Sequence, residues 1–230
     1  MLVLAASEQE YPWGTLRSTN ASKVKVILEE KGLKYRVERL RPGDLWKKPP
    51  EILAKHPLGK VPYLETPSDG VIFDSTVINE YIDDRYKNHS LKPKDAAQLA
   101  RMRMLENYAD EALLTGELPK IWMPLWSQPE DRNEENMEVG RVALRERILP
   151  YIENELEGRE YLCGDFSLAD APYMAMAMVL EVDQFSFDGF PRCQKYIDRL
   201  RGRPSYRAIS PQTSLEDSAG TASKLTAASA

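Results

Sequence analysis

The pattern of apolar residues changes character near residue 90, and this change constrains the fold more than any other feature of the sequence. Over residues 1–86, short strand-like runs alternate with helix-like runs in the order β-α-β-(α)-β-β-α. From residue 95 onward the apolar residues recur only at helical spacing. We therefore expect an α/β domain over residues 1–86, a linker over 87–94 and an all-helical domain over 95–211. Residues 212–230, rich in Ser, Ala, Thr and Gly, are expected to form a disordered tail.

Within the first domain, turn and cap residues divide the chain into short elements. Strands are expected over residues 2–5, 35–40, 61–65 and 71–73, the last two forming a hairpin. Residues 7–17 are polar and include the run Pro12-Trp13-Gly14, so we interpret them as a loop.

The overall composition excludes several classes of function. The formal net charge is −5 and the basic residues are scattered, which argues against a nucleic-acid partner. No apolar run approaches the roughly 20 residues of a membrane span. The two cysteines, Cys163 and Cys193, form no C-x-x-C pair, so a disulfide framework is not expected and a cytoplasmic location is the simplest one. His56 and His89 have no second ligand at metal spacing, and we expect no metal.

Two segments of the first domain are suited to bind an anion. Each places small hydroxyl residues at the start of a helix, where unpaired N–H groups and the helix dipole favour negative charge. The first is the run from Ser18 to Ser22, and the second is Asp74-Ser75. In the second, an acidic side chain stands beside anion-binding N–H groups, which suits the ammonium and carboxylate of an α-amino acid. The alternative at both places is ordinary helix capping.

Taken together, five segments resemble the cytosolic glutathione transferases. They are Ser18-Thr19-Asn20 before Lys23-Val24, residues 28–35, residues 56–62, Asp74-Ser75 before residues 78–82, and residues 164–170 with Ser167 and Asp170 as an N-cap pair. The resemblance runs from about residue 18 to about residue 207. It implies a thioredoxin-like N-terminal domain, a helical C-terminal domain, a homodimer and glutathione as co-substrate, in a serine-type branch with bacterial, fungal and plant members.

The resemblance also implies roles for residues at the two helix entrances. Ser18 corresponds to the hydroxyl that contacts the glutathione sulfur, and Asn20 follows two positions later. Asp74 matches a position that is usually Glu, and with Ser75 it would hold the γ-glutamyl end.

The loop between these entrances is expected to bind the remainder of the tripeptide. The Val61 backbone would pair with the cysteinyl backbone, and Pro62 matches a proline that the family keeps cis. Lys48 and Lys60 would meet the glycine carboxylate, although both could equally be solvated surface charges.

The sequence departs from the family pattern in the long segment before Ser18. Tyr11 in this segment is a rival to Ser18 as the thiol ligand, and Trp13 is a candidate for covering the substrate pocket. The pocket for a small hydrophobic electrophile is expected between the domains. Its candidate walls, for which core packing is the alternative, are Tyr108, Glu111, Ala112, Trp122 and Trp126.

Three functions are compatible with this resemblance. The first is activation of the glutathione thiolate for conjugation, dehalogenation, ether cleavage or epoxide opening. The second is glutathione-dependent reduction of disulfides or peroxides, and the third is a non-catalytic binding module that keeps the fold. The intact set of Ser18, Val61-Pro62 and Asp74-Ser75 favours the first.

Overall fold

The chain divides into an α/β unit and a helical unit, as the sequence predicts. The computed structural model describes residues 1–11 and 14–214. The first unit contains Met1–Ser90 together with the segment that begins at Pro204, and the second contains Leu91–Arg203. Among the described residues, no helix combines the length and the apolar composition needed to cross a bilayer.

The first unit is built on a mixed sheet whose central strand is β1. The strands are β1 (Leu2–Tyr11), β2 (Gly14–Arg17), β3 (Tyr35–Leu40), β4 (Tyr63–Thr66) and β5 (Gly70–Phe73). β1 pairs in parallel with β3 and antiparallel with β4, and β4 pairs antiparallel with β5. The helices of this unit are α1 (Thr19–Glu30), α2 (Pro42–Lys47), α3 (Pro50–Leu53) and α4 (Ser75–Arg85). The apolar run at the start of β1 is buried on both faces, which explains why it reads as a continuous hydrophobic stretch.

The expectation of a loop over residues 7–17 is wrong, because this segment is a β-hairpin. β1 continues to Tyr11 and pairs antiparallel with β2, with Glu8 opposite Arg17 and Tyr11 opposite Gly14. The polar residues misled the interpretation, since Glu8 is buried and neutralised by cations rather than exposed. A buried ion pair leaves no apolar periodicity for sequence reasoning to detect.

The chain returns to the first unit after the helical one. A short 3₁₀ helix, Pro204–Ala208, packs against α1, and the residues after it contact β2. The sequence predicts residues 204–211 to be part of the helical domain, whereas the structure groups them with the sheet. Thr213, expected in a disordered tail, accepts hydrogen bonds from Thr15 and Arg17. Residues 215–230 of that tail lie outside the described residues.

The second unit consists of helices and their connections. Its helices are α5 (Ala96–Tyr108), α6 (Leu118–Trp122), α7 (Glu134–Ala143), α8 (Leu149–Glu155), α9 (Ala171–Val182) and α10 (Pro191–Arg201). Two π-helical segments, Ala109–Glu117 and Leu144–Ile148, run directly into α6 and α8. Each is followed by a proline, Pro119 or Pro150, which cannot donate to the preceding turn and so favours wider local hydrogen bonding.

The start of α9 carries the capping box that the sequence predicts. The buried carboxylate of Asp170 accepts hydrogen bonds from the Ser167 backbone N–H, the Ser167 hydroxyl, the Leu162 N–H and the Tyr196 hydroxyl. Burial raises the pKa of Asp170, while these donors oppose that rise. The box therefore joins α9 to α10 and to the chain before α9.

Candidate functional site

Ser18 lies at the junction between β2 and α1, where it is the N-cap of the helix. Its Oγ accepts from the N–H of Ala21 at 3.4 Å, and its own N–H donates to the Ser7 carbonyl at 2.8 Å. The residue is half-buried. Capping therefore occurs here, but it does not exclude an anion. A hydroxyl that accepts one hydrogen bond can still donate its proton to a second group.

The strand register brings the three predicted glutathione-binding segments to one end of the sheet. Ala5 of β1 lies opposite Tyr63 of β4, so the chain just before Tyr63 runs beside Ser7. Ser7 in turn accepts the Ser18 N–H. Tyr63 also lies opposite Phe73 of β5, so the residue after Phe73, Asp74, comes next to the residue before Tyr63. Ser18, the Val61-Pro62 bond and Asp74-Ser75 thus share this end of the first unit.

Asp74 is the N-cap of α4 and adopts a left-handed backbone with φ of 73°. Its Oδ1 accepts from the N–H groups of Thr76 and Val77 at 3.0 and 3.2 Å, whereas Oδ2 accepts neither. Ser75 is buried at the first position of the helix. A non-glycine residue with positive φ is uncommon and costs free energy, so the surrounding structure must impose it.

The loop before β4 has the geometry that the resemblance implies. The Val61-Pro62 bond is cis. Gly59 packs against Lys48, because a Cβ built on Gly59 would lie 2.9 Å from the Lys48 Cγ. Lys48 and Lys60 therefore belong to the same exposed corner of the first unit. His56 accepts the Leu58 N–H on Nδ1, and burial, followed by the charge of Lys60, lowers its pKa.

A buried lysine connects the two helix entrances, a feature that sequence reasoning missed. Lys23 of α1 is fully buried, and its ammonium donates to the Thr76 hydroxyl in the first turn of α4 at 2.6 Å. The Lys-Val-Lys-Val pattern of α1 gives no sign of this contact, since lysines normally lie on the exposed face of a helix.

A second buried cluster lies behind Ser18. Glu8 of β1 contacts Lys25 of α1 at 2.6 Å and the Arg17 Nε at 3.6 Å, and all three side chains are almost fully buried. Burial alone would raise the pKa of Glu8, but the charge and hydrogen bond of Lys25, followed by the charge of Arg17, bring that pKa below its usual value. Glu8 is therefore ionised at neutral pH and fixes α1 against the hairpin.

Of the two rival thiol ligands, the hairpin separates Tyr11 from Ser18. Tyr11 lies four residues beyond Ser7 on an extended strand, which is about 13 Å along it. Tyr11 is half-buried, and burial raises the pKa of its hydroxyl. Tyr11 and Ser18 therefore lie at opposite ends of the β1–β2 hairpin. Trp13 lies outside the described residues.

The predicted walls of the electrophile pocket all belong to the second unit. Tyr108 ends α5, and Glu111 and Ala112 lie in the π-helical segment that follows. The Tyr108 ring packs on Tyr151 with centroids 4.5 Å apart, and Trp122 packs on Trp126 at 5.3 Å. Such π-helical segments are rare and are frequent at functional sites.

A metal centre is not indicated by the part of the chain that the structure describes. Within residues 1–11 and 14–214, no group of three or more His, Cys, Asp or Glu side chains is placed to hold an ion.

Comparison with known proteins gives one consistent result. Residues 17–85 match the family model of the glutathione S-transferase N-terminal domain, and residues 113–204 match that of the C-terminal domain. A probable glutathione S-transferase GSTF1 from Oryza sativa subsp. japonica is 25% identical over 206 residues, covering 86% of this chain and 93% of the relative. A stringent starvation protein A homolog from Pasteurella multocida (strain Pm70) is 27% identical over 186 residues, covering 80% and 81%.

The fold is shared with solved structures. A glutathione transferase homolog from Sulfitobacter, solved with bound glutathione, superposes with a TM-score of 0.72 at 21% identity. The superposition covers 91% of this chain and 96% of that one.

Proposed function

Because the chain belongs to the glutathione S-transferase family, we propose that it is an enzyme in which Ser18 activates the thiol of glutathione for attack on a small hydrophobic electrophile. The observation that carries this proposal is the position of Ser18 at the start of α1, with its hydroxyl half-buried and able to donate. In the reaction, the thiol loses its proton to solvent. The sulfur then forms a bond to an electrophilic carbon, and the leaving group departs with the electrons of the broken bond. In epoxide opening the ring oxygen takes these electrons, stays attached and gains a proton from solvent.

The energetics of thiol activation support a hydroxyl donor. A free thiol has a pKa near 8.5, so it is mostly protonated at neutral pH. Lowering that pKa by two units requires about 2.7 kcal/mol. A hydrogen bond to a charged group contributes about 1.5–3 kcal/mol, and a helix N-terminus adds about 0.3–1 kcal/mol. The Ser18 hydroxyl is therefore the larger contribution, and Asn20 helps keep the entrance polar.

The remaining segments are assigned to the rest of the tripeptide. Ser75 and the first turn of α4 bind the γ-glutamyl carboxylate, while the Asp74 Oδ2 meets its ammonium. The Val61 backbone pairs with the cysteinyl residue. Lys48 and Lys60, adjacent at the exposed corner, attract the glycine carboxylate.

The electrophile and the assembly are proposed from exposed and half-buried apolar side chains. The half-buried rings of Tyr108 and Trp122, together with Glu111 and Ala112 beside them, supply an apolar wall with a polar group. Conjugation, dehalogenation, ether cleavage and epoxide opening all use the same thiolate. We further propose a homodimer, since large apolar side chains are exposed on β5 and α4. Both cysteines are free thiols, which suits a reducing compartment, so we propose a cytoplasmic location.

A second candidate function is a non-catalytic binding module. The similarity to stringent starvation protein A homologs favours it, because those relatives carry a name that is not an enzyme's. Reduction of disulfides remains a third reaction type, and it would have to proceed without a protein thiol at the helix entrance, where Ser18-Thr19-Asn20-Ala21 contains no cysteine.

The test is a binding and activity measurement on the purified protein. We expect the chain to bind glutathione in calorimetry and to conjugate it to a chloronitrobenzene, with little activity on a model disulfide. Binding without turnover of any electrophile in a panel would favour the binding module. No binding of glutathione at all would contradict the proposal.

A further inference from the structure

The residues that follow the helical unit bind the side chain that immediately precedes Ser18. Arg17 is 1% exposed, and its guanidinium donates to three carbonyl oxygens of residues 209–213, which we call the C-terminal strap. Nη1 reaches the carbonyls of Ile209 and Ser210 at 3.3 and 2.8 Å, and Nη2 reaches that of Thr213 at 2.7 Å. The strap thus supplies most of the acceptors for a buried cation.

The backbone of β2 is bound to the same strap. The Thr15 N–H donates to the Pro211 carbonyl at 2.9 Å, and the Thr15 hydroxyl donates to the Thr213 carbonyl at 3.2 Å. Gly14 allows this approach, because its φ is 136° and a Cβ there would lie 3.1 Å from the Pro211 oxygen. The hairpin therefore binds the strap through the Arg17 side chain and through the backbone N–H of Thr15.

The hairpin in turn determines where α1 begins. Arg17 is opposite Glu8 in the ladder, and the next residue, Ser18, donates its N–H to Ser7. The C-terminal end of α1 is bound by the 3₁₀ helix that precedes the strap, since the Ser205 hydroxyl donates to Glu30 at 2.5 Å. The 3₁₀ helix therefore contacts the C-terminal end of α1, and the strap contacts the strand that leads into its N-terminal end.

We propose that Arg17 is a positioning residue for Ser18, and that docking of the C-terminal strap on Arg17 sets the affinity for glutathione and the reactivity of its thiol. The proposal rests on the proposed function. The physical reason is the cost of a buried cation. Without the strap, the Arg17 guanidinium exchanges three fixed carbonyl acceptors for mobile water and the Thr15 N–H loses its acceptor, so β2 is held only by its pairing with β1. Ser18 then moves, and a displacement of about 1 Å at a reacting group reduces the rate by roughly 100-fold.

The first experiment compares two truncated chains with the full chain. A chain ending at Ala208 lacks the strap, whereas one ending at Ser214 keeps it and lacks only residues 215–230. We expect the chain ending at Ser214 to match the full chain. The chain ending at Ala208 should show a KM for glutathione raised about tenfold and a pH–rate profile moved to higher pH, with the KM for the electrophile nearly unchanged.

Point variants test Arg17 directly, and they provide a result even if the chain ending at Ala208 does not fold. Arg17→Lys keeps the charge but cannot reach three carbonyls, and it should reproduce the effect of removing the strap. Arg39→Met is the matched control, because the Arg39 side chain also contacts Glu8, at 3.2 Å, but is 35% exposed and is not among the strap contacts described above. Amide exchange at Ser18, measured without glutathione, should accelerate in Arg17→Lys and not in Arg39→Met.

The outcomes separate the two proposals. If the full chain fails to bind glutathione, the proposed function is wrong, while the exchange measurement still decides whether the strap controls Ser18. If the full chain binds but Arg17→Lys and the chain ending at Ala208 bind equally well with the same pH profile, the role of Arg17 is disproved. If the chain ending at Ala208 does not fold, the Arg17→Lys variant alone decides whether Arg17 positions Ser18.

Discussion

At the scale of single residues, the candidate site depends on side chains that have two tasks. Ser18 caps α1 through its oxygen, which leaves the hydroxyl proton outside the cap, and Asp74 caps α4 through one carboxylate oxygen, which leaves the other outside it. The sequence alone left capping and ligand binding as alternatives. The geometry makes them compatible, because each group has more bonding capacity than the cap uses.

We predict that Ser18→Ala slows conjugation by about 10–100-fold at pH 7, since the bound thiol loses its hydroxyl donor and its pKa rises. The measurement is the pH dependence of kcat/KM with a chloronitrobenzene. Tyr11→Phe serves as the control and should leave the profile unchanged. Identical profiles for Ser18→Ala and the wild type would remove Ser18 from the mechanism.

The buried pair of Glu8 and Lys25 gives a prediction about stability. Glu8→Gln leaves Lys25 as a buried, unpaired cation and should lower the free energy of unfolding by roughly 3–5 kcal/mol at pH 7. Because the pKa of Glu8 is lower in the folded state, its contribution is present above about pH 4.5 and is lost as pH falls through the folded-state pKa. The difference between variant and wild type should therefore shrink below pH 4 in urea titrations.

A double variant is the control for this pair. Adding Lys25→Met to Glu8→Gln removes both charges, and it should recover part of the lost stability. If the loss of stability in the double variant equalled the sum of the losses in Glu8→Gln and Lys25→Met, the two residues would not be coupled.

At the scale of elements, the helix entrances and caps were predictable from sequence, whereas the hairpin was not. The start of α1 at Ser18, the start of α4 at Asp74 and the capping box of Ser167 and Asp170 follow from local hydrogen bonding, which short sequence patterns encode. The β1–β2 hairpin depends on Lys25 and the C-terminal strap, which are distant in sequence. Local patterns therefore could not reveal it.

The capping box of α9 gives a prediction at this scale. Ser167→Ala should cost about 1 kcal/mol, and Asp170→Ala should cost about 3 kcal/mol because four donors lose their common acceptor. At about 2–4 °C per kcal/mol, the melting temperatures should differ measurably. Glutathione affinity at 25 °C should stay constant in both variants, because the box lies in the second unit. A change in affinity without a change in melting temperature would contradict a purely structural role.

At the scale of the whole molecule, the division into an α/β and a helical unit was predictable, but the path of the chain was not. The periodicity changes near residue 90 of the sequence, and the structure divides the chain between Ser90 and Leu91. Nothing in the composition after residue 203 indicates that this segment belongs with the sheet. It binds β2 mainly through its own backbone carbonyls, which every sequence has, so no residue pattern identifies these contacts.

The proposed dimer can be tested by substituting the apolar side chains that are exposed on the first unit. Val77 of α4 is 53% exposed, and Val71 and Phe73 of β5 lie close by in the chain. We predict that Val77→Asp shifts the protein from a dimer to its 26.2 kDa monomer in light scattering after size exclusion. Val139→Asp is the matched control, since Val139 is equally exposed but lies on α7. A wild-type monomer would refute the proposed assembly.

The contacts between Arg17 and the strap have a consequence for biosynthesis. Arg17 and its acceptors are 192 to 196 positions apart, and chains are made from the N-terminus at about 5–20 residues per second. Arg17 is therefore synthesised about 10–40 s before its acceptors in the strap. During that interval Glu8 balances the charge of Arg17, but the guanidinium and the Thr15 N–H have no strap carbonyl to bind, so this early part of the polypeptide completes its hydrogen bonds only when the residues of the strap arrive.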